Sequence, residues 1–243
     1  MRILLLSLAL FSHYCSASFD WNDYSALLNS YVSNENKSGI QTNVIDYQSF
    51  SQDERYPALL EKLASYDSSA LTGKEKLAFY INAYNLLAIK LVIDHKPKHS
   101  IKDIGSWFNP VWQIPAGVLA GKVISLDTIE HKILRKMKEP RIHFAIVCAS
   151  LSCPDIRKEA YTSSKLEQQL DEQTKAFLSN EHKGLKIEGK DVYISKIFSW
   201  FAEDFSKDKK AKNILKFIAK YNMEAGRYSS YKTLDYNWQL NAL

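Results

Sequence analysis

The sequence predicts a helix-dominated α+β fold: a single domain with a small β-sheet and one core. Three observations carry this reading. Apolar residues recur at helical spacing through much of the chain, as in Trp21, Tyr24, Leu27, Leu28 and Tyr31. A few short stretches read instead as strands, above all LKIEGKDVYI within residues 184–194, which turns at Gly189-Lys190. Finally, 46% hydrophobic and 12% aromatic residues in a chain of 243 are the composition of a folded protein that can bury a substantial core.

In chain order, Arg2 precedes an apolar run over residues 3–11, and small residues at Cys15 and Ala17 offer a cleavage site before Ser18. This reads as a secretory signal peptide, residues 1–17, too short to span a bilayer. His13-Tyr14 before Cys15 suits a lipoprotein signal poorly. Residues 18–243 are then the single domain of a secreted or periplasmic protein. No later stretch reads as a transmembrane helix, so no stable membrane insertion is expected.

The first layer is helical over residues 19–70, with a second stripe at Leu59, Leu60, Leu63 and Tyr66 and a short extended segment at 43–47. Thr72 and Glu75 have the spacing of a capping box and open a helix to about Asp94. Its core stripe is Leu77, Ile81, Tyr84, Ala88 and Leu91, with Asn82 and Asn85 beside it. Two amides next to an apolar face are either structural clamps or parts of a polar site. Residues 101–122 form a loop in which Trp107 and Trp112, mixed with turn formers, can line a groove or simply pack. Asp127 and Glu130 repeat the capping-box spacing and start a helix to about Lys138, with His131 and Arg135 one turn apart.

Residues 141–157, RIHFAIVCASLSCPDIR, hold the densest reactive chemistry. The apolar run 142–148 suits a short buried strand, and Cys153 before Pro154 suits a helix N-cap. A long helix follows, capped near Ser163 or Ser164 and supported by Tyr161, Leu166, Leu170 and Phe177. After the hairpin, Ser195 starts a helix whose Ile197, Phe198, Trp200, Phe201 and Phe205 read as largely core. An aromatic tail with strand character, residues 231–238, is expected to pack back on the domain.

FYINAYNLLAIKLV from Phe79, SLDTIEHKILR from Ser125, RIHFAIVCASLSCP from Arg141, SKIFSWFAEDF from Ser195 and LDYNWQLN from Leu234 resemble the blocks of the domain-of-unknown-function 547 family. The resemblance covers about residues 40–241. It implies a fold similar to papain-like cysteine hydrolases, with catalytic elements in a different chain order, and it names no substrate.

A thiol hydrolase needs a thiolate, a base, a group to orient the base, and oxyanion donors. Cys153 at a helix N-terminus is the better nucleophile on local physics, and Cys148 is kept beside it. The base is His143 or His131, the latter with Arg135 to lower its pKa. The orienter is Glu130, Asn82 or Asn85. The substrate is then a small molecule or a peptide, with an amide or thioester bond.

Two other chemistries stay open. The pair Cys148 and Cys153 can form a structural disulfide in an oxidising compartment, leaving a peptide- or glycan-binding envelope module whose groove uses Trp107, Trp112 and the asparagines. Cys148, Cys153, His131 and His143 also have zinc-ligand types, though their spacing is only permissive. No cofactor is expected. The net charge of +5 is spread over segments such as residues 207–212 and does not make a nucleic-acid footprint.

Overall fold

A computed structural model describes residues 18–243, and the expected signal peptide lies outside them. α1 (Asn22–Tyr31) buries Tyr24, Leu27 and Leu28 of its expected stripe. It runs directly into an antiparallel hairpin, β1 (Val32–Lys37) and β2 (Ile40–Ile45), in which Val32 faces Ile45. Ser38 and Gly39 turn it with φ of 53° and 80°, the left-handed pair that matches strand twist. β1 was hidden in the sequence because VSNENK carries one apolar residue and no alternation.

α2 (Tyr47–Gln52), capped by Asp46, and α3 (Arg55–Ser65) lead to α4 (Gly73–His95). Burial in α4 is unbroken from Leu77 to Ile89, so it is a core helix covered on all sides and not an amphipathic one. The expected capping box does not form: the Thr72 side chain makes no cap bond. Against expectation, α4 is long and apolar enough to cross a membrane. In this fold 83% of its apolar window is buried inside the protein.

A loop with a short 3-10 turn (Ile101–Ile104) precedes the hairpin β3 (Gly117–Leu119) and β4 (Lys122–Ile124). The helix expected from Asp127 is a π-helix, Thr128–Leu134, and the Ser125 hydroxyl rather than the Asp127 carboxylate accepts the Thr128 N–H.

Residues 142–148 are not a strand. They form the single turn α5 (Ile142–Ala145) followed by extended backbone. Asn85 decides this: its amide nitrogen donates to Ala145 O and its Oδ1 accepts the Val147 N–H, both at 2.9 Å. A side chain thus satisfies the polar backbone that a neighbouring strand would otherwise have to meet.

α6 (Leu166–Ser179) buries Leu166, Leu170 and Phe177 as expected. β5 (Leu185–Glu188) and β6 (Asp191–Ile194) are the expected hairpin. Past Ser195 the chain breaks into α7 (Ile197–Trp200) and α8 (Ala202–Phe205), then α9 (Ala211–Ile218). β7 (Lys232–Thr233), in the aromatic tail, adds to β6 in parallel.

The architecture is α+β, helix-rich with small sheets, as the sequence predicts. The apolar residues gather into two clusters where one core was expected. The first surrounds α4, and the second gathers Phe177, Ile194, Phe198, Phe205, Leu215 and Phe217. α5 is the seam, giving Ile142 and Ala145 to the first cluster and Phe144 to the second.

Candidate active site

A cavity of about 260 Å³ opens at this seam, lined by Cys148, Cys153, His131, His143, Glu130, Asp127 and Tyr84 together with Trp112, Trp200, Phe201, Tyr236 and Trp238. Residues far apart in sequence are brought here by the chain's late segment. Leu151 N–H donates to Gln239 O at 2.8 Å, Asn241 N–H to Ala149 O at 3.1 Å, and Asn237 N–H to Ser152 Oγ at 2.8 Å. Ala149, directly after Cys148, holds a left-handed backbone with φ 53°, a conformation that costs an L-residue about 1–2 kcal/mol. The turn it makes folds Ser150 back onto the cysteine.

The two cysteines are both free thiols in unlike environments. Cys148 is half-buried, and its Sγ lies 3.1 Å from Ser150 Oγ and 3.2 Å from the Tyr236 hydroxyl. Burial pushes its pKa up, but hydrogen bonds from Cys153, Ser150 and Tyr236 outweigh that and bring it down to about 7. Cys153 is 4% exposed, and its Sγ accepts the Cys148 N–H at 2.7 Å. Burial, and then the neighbouring Cys148, push this thiol well above the ordinary range. The expected helix at Cys153 does not exist, since the next helix begins at Leu166. The preference between the thiols is therefore reversed: Cys148 is the one suited to be a thiolate.

His143 is 3% exposed and stacks on Phe201 with ring centroids 4.1 Å apart. Its Nε2 lies 2.8 Å from Asp204 Oδ2. Burial lowers its pKa against the opposing pull of Asp204. A neutral imidazole bonded to a carboxylate through Nε2 carries its proton there and leaves Nδ1 as the acceptor. Burial raises the Asp204 carboxyl, but His143 and Arg135 prevail and hold it at about 2. Arg135 reaches Asp204 and Glu203, each at 2.6 Å, and His131 Nδ1 at 2.9 Å. It is locked in this network and is not a free binding group. The lowered pKa of His131 comes first from burial, with Arg135 adding to it.

The π-helix places both Glu130 and His131 on the cavity wall, an unusual helix form that recurs at functional sites. Burial lifts Glu130 to about 7, with Tyr84 and Arg135 opposing the shift and Cys148 adding to it. The Tyr84 hydroxyl donates to Glu130 Oε2 at 3.3 Å.

The other sequence candidates fall elsewhere. Asn82 is fully buried and clamps the Tyr161 backbone, donating to its O and accepting its N–H at 2.9 Å each. It orients no histidine. Asn85 clamps residues 145 and 147 and so acts on the run into Cys148. Trp112 lines the cavity, whereas Trp107 is 93% exposed and does not line it. The zinc reading fails on geometry: among the described residues, no three His, Cys, Asp or Glu side chains are placed to share an ion.

As site residues, Asp204, Tyr236, Ser150 and Tyr84 escaped the sequence reading, which had Tyr84 only as core. Asp204 and Tyr236 sit in the SKIFSWFAEDF and LDYNWQLN blocks, and an acid inside so aromatic a stretch was the one available signal. Trp200, read as core, is 48% exposed and stacks on Trp238 with centroids 5.7 Å apart.

No curated protein and no solved structure matches the chain. A family model described as "Protein of unknown function, DUF547" matches residues 68–178. That stretch holds α4 with both asparagine clamps, the π-helix and both cysteines, while Asp204 and Tyr236 lie beyond it. Across residues 68–178, the chain carries a DUF547 domain.

Proposed function

We propose that the seam cavity is the active site of a thiol-dependent hydrolase or acyl transferase acting on amide or thioester bonds, with a papain-like division of labour. The observation that supports it most is Cys148: a half-buried thiol whose pKa is brought to about 7 by three hydrogen-bonding neighbours, in a cavity shared with a carboxylate-bound histidine. The Cys148 thiolate attacks the acyl carbon, forming an S–C bond and pushing the carbonyl electrons onto oxygen. The Tyr236 hydroxyl, whose pKa is pushed well up by burial and then by Cys148, keeps its proton and can donate it as a hydrogen bond to that oxyanion. His143, oriented by Asp204, takes the Cys148 thiol proton at Nδ1 as the thiolate forms, gives it to the leaving amine or thiol as the C–N or C–S bond breaks, and then takes one from the water or acceptor that releases the acyl group. The roles run His143, Cys148, Asp204 along the chain, so the orienter follows the base instead of preceding it. Triads are defined by geometry and not by order.

Cys148 Sγ bonds Ser150 and Tyr236 rather than an imidazole, a loose apo arrangement that substrate must tighten. The protein is read as exported, acting in the envelope on a small molecule or peptide. A non-catalytic peptide- or glycan-binding module is the second reading, favoured by the aromatic wall of Trp112, Trp200, Tyr236 and Trp238.

Iodoacetamide labelling from pH 5 to 9, read by mass spectrometry with and without reduction, tests the proposal. Cys148 is expected to label with a midpoint near its pKa of about 7, and Cys153 to stay unlabelled in the folded protein. Label that appears only after reduction means a disulfide, and the binding reading then leads. The two readings also part on Cys148→Ala, which abolishes turnover in a hydrolase and leaves ligand binding intact in a module.

A further inference from the structure

Away from the cavity, Trp107 and Phe108 are each 93% exposed. They occupy the tip of a closed turn, in which Ser106 N–H donates to Asn109 O at 2.9 Å and Asn109 N–H donates to Ser106 Oγ at 3.1 Å. The turn is seated by Gly105, where an added Cβ would lie 2.4 Å from the Val111 backbone nitrogen. A defined piece of backbone therefore holds two adjacent aromatic side chains in water, where they pack on nothing. The hairpin that follows adds Val118 and Val123, paired across β3 and β4 and exposed at 39% and 70%. Two large apolar side chains exposed side by side on one turn mark an interaction surface.

Charge identifies the partner. Residues 95–124 carry four lysines (Lys96, Lys98, Lys102 and Lys122) against the single acid Asp103, a net charge of +3. All four lysines are exposed, Lys102 with its Nζ 4.0 Å from the centre of the Trp238 ring and the other three unengaged by any ring among the described residues. Asp103 is already engaged, its carboxylate accepting the N–H groups of His99 and Ser100. Trp and Phe settle at the level of lipid headgroups, and lysines beside them are drawn to anionic lipid. We propose that this turn is a peripheral docking site for an anionic lipid bilayer, with Trp107 and Phe108 as the interfacial anchors. Two rings and a few lysines give reversible, salt-sensitive attachment and not insertion.

The test is vesicle co-sedimentation of residues 18–243, which contain every contact described above and exclude the apolar run at residues 3–11. Binding to phosphatidylcholine vesicles containing about 30% phosphatidylglycerol is expected to be about tenfold tighter than to pure phosphatidylcholine, and to weaken as salt rises. The double variant W107S/F108S is expected to lose about tenfold in affinity for the anionic vesicles with an unchanged thermal melt. Met223→Ser, which alters a side chain 88% exposed and outside this segment, should bind as wild type. Equal binding by W107S/F108S and wild type overturns the proposal, as does equal binding to neutral and anionic vesicles. A wild-type dimer in sedimentation equilibrium that W107S/F108S abolishes, without vesicle binding, would assign the surface to a second copy and also overturn it.

Discussion

Glu130 keeps its proton near neutrality because its carboxyl is buried and its pKa lies at about 7. The folded state then holds a proton that the unfolded chain gives up above about pH 4.3, so this residue subtracts stability as pH rises through that window and levels off past 7. The cost at pH 8 is roughly 3–4 kcal/mol. Glu130→Gln keeps an acceptor for the Tyr84 hydroxyl without the charge. It should therefore melt above wild type at pH 8 and level with it at pH 4, a comparison that thermal denaturation at the two pH values makes directly. A variant less stable at pH 8 would mean that the carboxylate is paired and not merely buried. The same dependence on distant partners explains why the choice between cysteines was not legible. Pro154 made Cys153 look like a helix cap, but what separates the thiols is Ser150, made a neighbour by a left-handed Ala149, and Tyr236, far along the chain.

At the scale of elements, α4 is both core and jig. Its Asn82 and Asn85 each hold two backbone groups of other segments at 2.9 Å. Asn85→Ala removes both partners of a buried stretch that ends one residue before Cys148. It is expected to cost about 3 kcal/mol in urea denaturation, since each buried group left unpaired costs about 1–3. The labelling midpoint of Cys148 should also move up toward that of an ordinary thiol. Stability lost with an unmoved midpoint would show that the clamp does not position the thiol. The stripes of α1 and α6, the presence of α4 and the β5–β6 hairpin could be read in the sequence because their signals are local, whereas the all-round burial of α4 could not. Residues 142–148 could not, because an apolar run looks the same whether its backbone is satisfied by a strand or by an asparagine sixty-odd residues earlier. Of the candidate residues, Cys148, Cys153, His131, His143, Glu130 and Trp112 all line the cavity. The roles proposed for them were not legible, because they depend on Asp204 and Tyr236, which only the tertiary fold brings in.

Over the whole molecule, two apolar clusters meet at α5, and one buried ion pair ties together segments on both sides. Lys183 Nζ lies 2.6 Å from both Asp155 Oδ1 and Thr42 Oγ1, linking β2, the loop after Cys153 and the segment entering β5. Its side chain is 1% exposed and that of Asp155 30%. Removing one partner of a buried pair leaves the other uncompensated. Asp155 retains the Asn43 N–H and Thr42 hydroxyl as donors and some solvent. Lys183→Met should therefore cost about 2–3 kcal/mol, below the full penalty for a deeply buried pair. Urea denaturation of K183M checks this, and a loss under about 0.5 kcal/mol would show the pair to be dispensable.

The stitching of residues 237–241 to residues 149–152 also has a consequence in time. A chain leaves the ribosome from its N-terminus at roughly 5–20 residues per second, so Cys148 emerges well before Tyr236. Until the later segment docks, the thiol lacks one of the donors that lower its pKa, and the aromatic wall of its cavity does not exist. The cysteine is therefore close to an ordinary thiol until that segment docks, and the lowering of its pKa is complete only then.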